Sequence, residues 1–489
     1  MNYKMVFRTI GKLLKVEAIL LCLPLIVSLI YQEKMYLPFI IPIVLTFLIG
    51  HLLTSLKPSR TNIFAREGLI IVGLSWVIMS LFGCIPFIIS GYLPNFFDAF
   101  FETVSGFTTT GASIITNIDN WYQPAKGLLF WRSFTHWIGG MGVLVFVIAI
   151  LPRSEGQNIF ILRAESPGPQ VGKLVSKIRL TARILYLIYL FLTIALIVIL
   201  SLDPEMPLFD AIIHGIGTAG TGGFGLRGAS LGYYSNYAQI VVAIFMVLFG
   251  INFNLFYLLL IGKFRQVLKS EELWWFIGII AISVGIITID IYNDVSLAYT
   301  TIGGSLKDSF FQVGSIISTT GFSTVDFTKW SSLSQTVLFL LMFVGGCAGS
   351  TAGGLKVSRI AILFKSLKRE VNRLIHPNSV AHIKFEGSNL DGGIVKGVAR
   401  YFALLMFLTA IFVFVISFNG FDFTTNITSV VTCINNVGPG LGNIVGPAGG
   451  FAQFNHFSKF VFSIVMLIGR LEIYPMLILF LPKAWSNKN

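Results

Sequence analysis

Charged residues are scarce in this chain, 12% of 489, and against that shortage stand 55% hydrophobic residues and a mean hydropathy of +0.80. A soluble core could not hide so much apolar surface, which excludes a soluble globular fold and makes the bilayer the solvent. Cysteine is scarcer still. Cys22, Cys84, Cys347 and Cys433 lie in or beside apolar segments, with no paired spacing and no accompanying His cluster, which excludes a disulfide framework and a zinc site. Acidic residues number only 22 against 35 Lys and Arg, a net charge of +13. That excess needs no nucleic acid, because basic loops facing anionic lipid, or an acidic cytosolic partner, account for it.

Long apolar stretches are plentiful. Ten are long enough to cross a membrane: 17–31, 36–56, 68–91, 127–151, 180–202, 238–262, 273–292, 335–364, 394–418 and 458–482. An even number of spans puts both termini on one side, and on the ten-span reading 27 of the 35 Lys and Arg fall on that side, which is therefore cytoplasmic. The basic N-terminus is followed by two apolar runs without a small-residue cleavage site, so it is expected to be a retained span and not a signal peptide.

Glycine is also abundant, 48 residues, and one use of it recurs. Aligned on Gly111, Gly222, Gly321 and Gly438, four segments share a pattern: FDAFFETVSGFTTTGAS, FDAIIHGIGTAGTGGFG, KDSFFQVGSIISTTGFS and FTTNITSVVTCINNVGPG, at intervals of 111, 99 and 117 residues. Asp98, Asp210 and Asp308 stand 13, 12 and 13 residues ahead of the glycine, and Thr425 takes that place in the fourth copy. They read as helix N-caps. A further glycine follows in the next span of each copy, at Gly139, Gly250, Gly345 and Gly469. Each unit is thus a span, a short helix of about 15 Å at 1.5 Å per residue, a glycine turn and a second span.

A half-length helix followed by irregular backbone is forbidden against lipid and tolerated only around a wet cavity. Four of them about one axis would aim the negative ends of their macrodipoles at its centre, favouring a cation. Their carbonyl oxygens would form rings able to replace an ion's hydration shell, with glycine freeing the backbone to turn and threonine hydroxyls adding oxygens at the inner mouth. One copy alone would read as a small-residue packing face; four copies at matching spacing read as an ion filter.

These segments, SGFTTTGAS, TGGFG, STTGFS and NNVGPGLGN, together with GGCAGSTAGGLK and IGRLEIYP, resemble the TrkH/KtrB family of potassium uptake proteins over nearly the whole chain. The resemblance implies an all-α membrane protein of four membrane–pore-loop–membrane repeats around one pore. The two additional N-terminal spans resemble TrkH more than KtrB. The units are then 1–66 for the N-terminal pair and 67–152, 153–269, 270–375 and 376–489 for the repeats. The expected potassium ligands are Thr109, Thr110 and Gly111, Thr221 and Gly222, Thr319, Thr320 and Gly321, and Asn436, Val437 and Gly438. A glycine in every filter goes with potassium preference in the family. This chain departs locally in TGGFGLRG, where a serine or threonine is expected after the phenylalanine. Also implied are homodimers with one pore per protomer and a cytosolic ring of TrkA-like nucleotide-sensing subunits.

In the third repeat, five glycines crowd into 345–356: Gly345, Gly346, Gly349, Gly353 and Gly354. Each costs a helix interior about 1 kcal/mol relative to alanine, so the helix should break there and line a cavity beneath the filter as a plug, the place of the gate in the family. GSTAGGLK faintly matches a phosphate-binding loop, but such a loop follows a strand in a soluble nucleotide domain. Lys356 ends the loop as an interface anchor or a gating residue. Arg470 lies inside the last span, where a cation costs at least about 2.5 kcal/mol. It is expected to face the pore, bond carbonyls of the 345–356 loop and set an electrostatic barrier; pairing with Glu472 is disfavoured because i,i+2 neighbours point apart. His136 and His214 read as packing residues.

Three rival functions are weaker on these residues. An alternating-access sodium- or proton-coupled symporter would be expected to show inverted repeats, whereas these four share one polarity. The potassium-importing subunit of an ATP-driven pump shares the four-filter plan but is longer. An intramembrane serine protease would use Ser105 with His136, yet the serine lacks the preceding glycine such enzymes require and sits on an expected half-length helix. The expectation is a non-enzymatic potassium uptake protein of the cytoplasmic membrane, with K+ as cargo and no organic cofactor in the chain.

Overall fold

The first apolar run begins earlier than hydropathy alone places it. In the computed structural model, which describes residues 1–58, 63–142, 178–297, 299–377 and 382–486, helix α1 (Tyr3–Leu20) opens on an Asn2 cap and continues through α2 (Cys22–Ile30). Four basic residues in α1 depress its hydropathy without interrupting its helix. It packs on α3 (Leu37–Ser55) through Gly11 and Gly50, where a Cβ on either would stand closer than 3.0 Å to the other's carbonyl oxygen. The chain continues as α4 (Ala65–Gly83), α5 (Ile85–Ile89), α6 (Phe96–Phe107), α7 (Lys126–Gly140), α8 (Ile178–Ser201), α9 (Leu208–Ala219), α10 (Asn236–Phe249), α11 (Phe253–Leu260) and α12 (Phe264–Leu268). There follow α13 (Glu271–Asn293), α14 (Ile302–Ile317), α15 (Ser332–Val344) and α16 (Val357–Ile375), and then a hairpin of β1 (Lys384–Phe385) and β2 (Ser388–Asn389). Last come α17 (Gly392–Ile416), α18 (Phe423–Ile434), α19 (His456–Arg470), α20 (Tyr474–Leu479) and α21 (Pro482–Trp485).

Among the described residues six helices are long and apolar enough to cross a membrane: Tyr3–Ile30, Leu37–Ser55, Ala65–Ile89, Leu180–Ser201, Glu271–Asn293 and Gly392–Asn419. The chain is a multi-pass, all-α membrane protein. Three of the other four expected spans are not continuous helices. The run 238–262 bends by 92° between α10 and α11, and 335–364 is interrupted between α15 and α16. The run 458–482 breaks at Glu472 and Ile473, which take φ +55° and +67°. Hydropathy registers apolar side chains and is blind to these backbone reversals. In the run 127–151, α7 extends to Gly140, and the part from 143 onward lies outside the described residues.

The short helices form a closed circuit. Following the contacts, α6 packs on α7, α7 on α9, α9 on α10, α10 on α14, α14 on α15, α15 on α18, α18 on α19, and α19 returns to α6. Four half-length helices, α6, α9, α14 and α18, therefore alternate with four inner helices, α7, α10, α15 and α19. The half-length helices are almost wholly buried along their last two turns.

Candidate functional site: a ring of four helix ends

Each half-length helix ends in the same cap. In α6 the Thr109 N–H donates to Gly106 O at 3.1 Å and the Thr110 N–H to Ser105 O at 2.9 Å. The same pair of bonds joins Thr221 to Thr218 and Gly222 to Gly217, Thr319 to Ile316 and Thr320 to Ser315, and Asn436 to Cys433 and Val437 to Thr432. This is a Schellman ending, whose C′ residue must be left-handed. Thr109, Thr221, Thr319 and Asn436 occupy it, at φ +53° to +55°. A β-branched residue rarely accepts such a φ, so three threonines holding it mark stored strain.

The caps also fix the register, and they correct the sequence alignment. Gly222 stands where Thr110, Thr320 and Val437 stand, and the partner of Gly111, Gly321 and Gly438 is Gly223. All four of these glycines have positive φ, from +76° to +106°. In that register Asp210 lies thirteen residues ahead of its glycine, as Asp98 and Asp308 do.

The four glycines close a ring. A Cβ built on Gly111 would stand closer than 3.0 Å to the Gly222 carbonyl oxygen; on Gly223, to that of Thr320; on Gly321, to that of Val437; and on Gly438, 2.7 Å from that of Thr110. Each glycine thus abuts the carbonyl of the next segment, and the fourth meets the first. Only a residue without Cβ permits that approach. The helix C-termini behind the ring add partial negative charge on the same side. The arrangement presents main-chain oxygens around one centre, backed by buried polar side chains.

The break in the third repeat lies against this ring. Gly345, Gly349 and Gly354 take φ of +72°, +72° and +75°, and Lys356 +80°. The Gly353 N–H donates to Thr319 Oγ1 at 2.6 Å, and a Cβ on Gly353 would stand 2.6 Å from Asn435 O. The loop therefore touches the left-handed residues of the third and fourth segments. It is tied at its other edges by Cys347 N–H to Gly250 O at 2.8 Å and by the Thr351 hydroxyl to Phe249 O at 3.2 Å. Glu272 Oε1 accepts from the N–H groups of Ala348 at 2.7 Å and Ser358 at 3.2 Å. Gly346 allows close approach to the Gly250 carbonyl.

Arg470 donates to Thr351 O at 2.9 Å and to Gly139 O and Gly140 O at 2.6 and 2.7 Å. It links the loop to the end of α7, while Glu472 pairs with Arg359 at 2.6 Å. Lys356 is buried and its Nζ donates to Ala352 O within the loop, so it is not exposed as an interface anchor.

The Asp residues expected to cap the half-length helices do not do so. Asn95, Pro207, Thr301 and Asp422 occupy the N-cap positions, because the helices start three or more residues earlier than the repeat pattern suggests. Asp98 instead binds Lys459 at 2.8 Å, and Asp210 accepts from the Tyr122 and Tyr234 hydroxyls, each at 2.7 Å. Asp308 accepts from the Tyr299 hydroxyl at 2.9 Å.

Comparison with known sequences shows the family. The profile of the TrkH cation transport protein family matches residues 38–489. The chain belongs to the TrkH family. The Trk system potassium uptake protein TrkH of Salmonella typhimurium is 37% identical over 495 residues, covering all of both chains. The Trk system potassium uptake protein TrkG of Escherichia coli is 36% identical over 471 residues, 95% of each chain. The crystal structure of the potassium transporter TrkH from Vibrio parahaemolyticus matches with a TM-score of 0.89 at 33% identity, covering 99% of this chain and all of that one.

In this TrkH family member one feature of the site escaped the sequence pattern. Arg132 of α7 forms a buried ion pair with Glu102 of α6, Nε to Oε1 at 2.7 Å. Its other nitrogens donate to Gly225 O at 3.2 Å and Ser113 Oγ at 3.1 Å. Glu102 in turn accepts from the Ser113 hydroxyl and the Ile114 N–H, both at 2.9 Å. This pair braces the chain just past the first and second filter glycines. Its signal in the sequence is Glu102 on a half-length helix and Arg132 thirty residues on, two opposite charges in otherwise apolar segments. The protease pairing finds no geometric support, since His136 Nδ1 lies 2.7 Å from Gly106 O. Its relatives are named as transport proteins.

Proposed function

We propose that the chain takes up potassium ions across the cytoplasmic membrane through the ring at Gly111, Gly223, Gly321 and Gly438. A dehydrated monovalent cation loses its water shell only where other oxygens replace it. Four successive carbonyls facing one centre supply that replacement without moving. The observation that carries the reading is the cyclic approach of each filter glycine to the carbonyl of the next segment. The left-handed threonines, Asn436 and the hydroxyls of Thr109, Thr110, Thr221, Thr319 and Thr320 add oxygens below it.

The 345–356 loop is the gate in this proposal, and Arg470 its latch. The loop lies against the filter's helix-side mouth, and the guanidinium bonds it to α7, so a cation leaving the ring meets both a plug and a positive charge. The chain works as a homodimer with one pore per protomer, its termini cytoplasmic, and a cytosolic nucleotide-binding subunit of TrkA type acts on the loop. The repeats run 67–152, 153–269, 270–375 and 376–489 after the N-terminal pair. The relatives' names, potassium uptake proteins and a potassium transporter, support the cargo.

The test is potassium against sodium flux in liposomes containing wild type or Gly111→Ser. A side chain at 111 would push on the Gly222 carbonyl, so the variant is expected to lose discrimination. An unchanged ratio would reject the filter.

A further inference from the structure

The second filter segment differs from the other three at the residue before the filter glycine. Thr110, Thr320 and Val437 carry side chains there, and Gly222 carries none. Its backbone does not demand glycine, since Gly222 is absent from the left-handed residues. Space demands it. A Cβ on Gly222 would fall inside the imidazole of His136, whose Cγ, Cδ2 and Nδ1 are its three nearest atoms.

His136 belongs to α7 of the preceding repeat and is wholly buried. Its Nδ1 is anchored 2.7 Å from Gly106 O of α6. Its ring lies against Phe224, the residue after the filter glycine, with centroids 4.1 Å apart. The Arg132 guanidinium, one turn away on the same helix, covers that phenylalanine at 3.5 Å. His136 also presses its backbone carbonyl on Gly220. His136 therefore flanks the ring glycine with its imidazole, at Gly222 before it and Phe224 after it, and meets Gly220 with its backbone carbonyl. On the other inner helices the residue three before the recurrent glycine is Val247, Met342 or Met466, all apolar.

Resting on the potassium-filter reading, we infer that His136 is the positioning residue for the second quarter of the filter. Its imidazole supplies from outside the wall that a threonine or valine side chain supplies from within in the other three quarters. It thereby fixes the Gly222 carbonyl, which faces Gly111 in the ring. His136 touches the filter backbone from behind and not the ion, so it acts on selectivity through Gly222.

The experiment measures the potassium-to-sodium flux ratio of the full-length protein in liposomes for His136→Ala, His136→Gln, Gly222→Thr and the double variant His136→Ala/Gly222→Thr. Removing the ring unpins the carbonyl, and His136→Ala is expected to lower the ratio about tenfold, equivalent to roughly 1.4 kcal/mol. His136→Gln, which retains bulk and a donor for Gly106 O, is expected to stay near wild type. Gly222→Thr collides with the ring and is expected to lose discrimination. The double variant, with threonine filling the vacated space as in the first and third segments, is expected to exceed both His136→Ala and Gly222→Thr, a gain that misfolding cannot produce.

A wild-type ratio in His136→Ala, or a double variant no better than the poorer single one, overturns the assignment. Gly111→Ser measured alongside separates the two levels. If it loses discrimination while His136→Ala does not, the positioning role alone falls. If neither variant changes the ratio, the filter reading falls with it.

Discussion

A missing Cβ decides how closely the second and third segments meet. At Gly223 the chain needs φ +76° and must pass the Thr320 carbonyl closer than any Cβ allows. Gly223→Ala therefore combines strain of about 1–3 kcal/mol with a collision, and is expected to lower the potassium-to-sodium ratio about tenfold or more in liposome flux. Gly222 and Gly223 are adjacent identical letters, so the sequence pattern could be slid by one residue without visible penalty. The spacing of Asp210 held the answer, since only Gly223 restores the thirteen-residue interval, but twelve and thirteen look alike until backbone angles are known. Arg470 was legible as a cation inside an apolar run. Its partners were not, because the Thr351, Gly139 and Gly140 carbonyls come from segments distant in sequence. Arg470→Ala is expected to raise potassium flux roughly tenfold, the effect of removing about 1.4 kcal/mol from a barrier; unchanged flux would deny it a barrier role.

Helices carry the next layer of information. The existence of four half-length helices follows from apolar runs and glycine spacing, yet their starts differ from the expectation because Asp98, Asp210, Asp308 and Thr425 lie inside the helices, three to seven residues past the caps. In the fourth, Asp422 is the cap, its carboxylate accepting from the Thr425 N–H at 3.1 Å and the Thr425 hydroxyl at 2.5 Å. Those two bonds hold its carboxyl below the usual carboxylate range. Asp422→Ala is expected to cost about 1 kcal/mol, read as a lower thermal midpoint in detergent, without altering the flux ratio. The interrupted helix of the third repeat was legible from its five glycines, whereas its tether was not. Glu272 sits at the start of α13 and accepts, through one oxygen, from Ala348 early in the loop and from Ser358 in the first turn of α16. Glu272→Ala is expected to loosen the loop and raise potassium flux severalfold at constant potassium-to-sodium ratio. A changed ratio would mean that the loop shapes the filter as well as covering it.

The molecule as a whole is a circuit of eight helices with the long spans outside it. Hydropathy indicated the membrane assignment and glycine spacing the four like segments, because these depend on composition and spacing. Hydropathy missed the breaks near Gly250 and Ile473, which depend on backbone torsions, ψ 120° at Asn252 and φ +67° at Ile473. If the ring holds potassium, the ion should stabilise the whole circuit by mass action, by about 2.7 kcal/mol at a hundredfold excess over its dissociation constant. Detergent-solubilised protein is accordingly expected to unfold at a higher temperature in potassium chloride than in sodium chloride of equal strength. Equal midpoints would argue against selective occupancy.

The seam between the last and first segments has one more implication. Gly438 meets the Thr110 carbonyl, and the Asn436 amide donates to the Thr110 hydroxyl at 2.9 Å, joining residues made at opposite ends of synthesis. The circuit therefore cannot close until residue 438 has been made, so its assembly waits on roughly the last tenth of the chain.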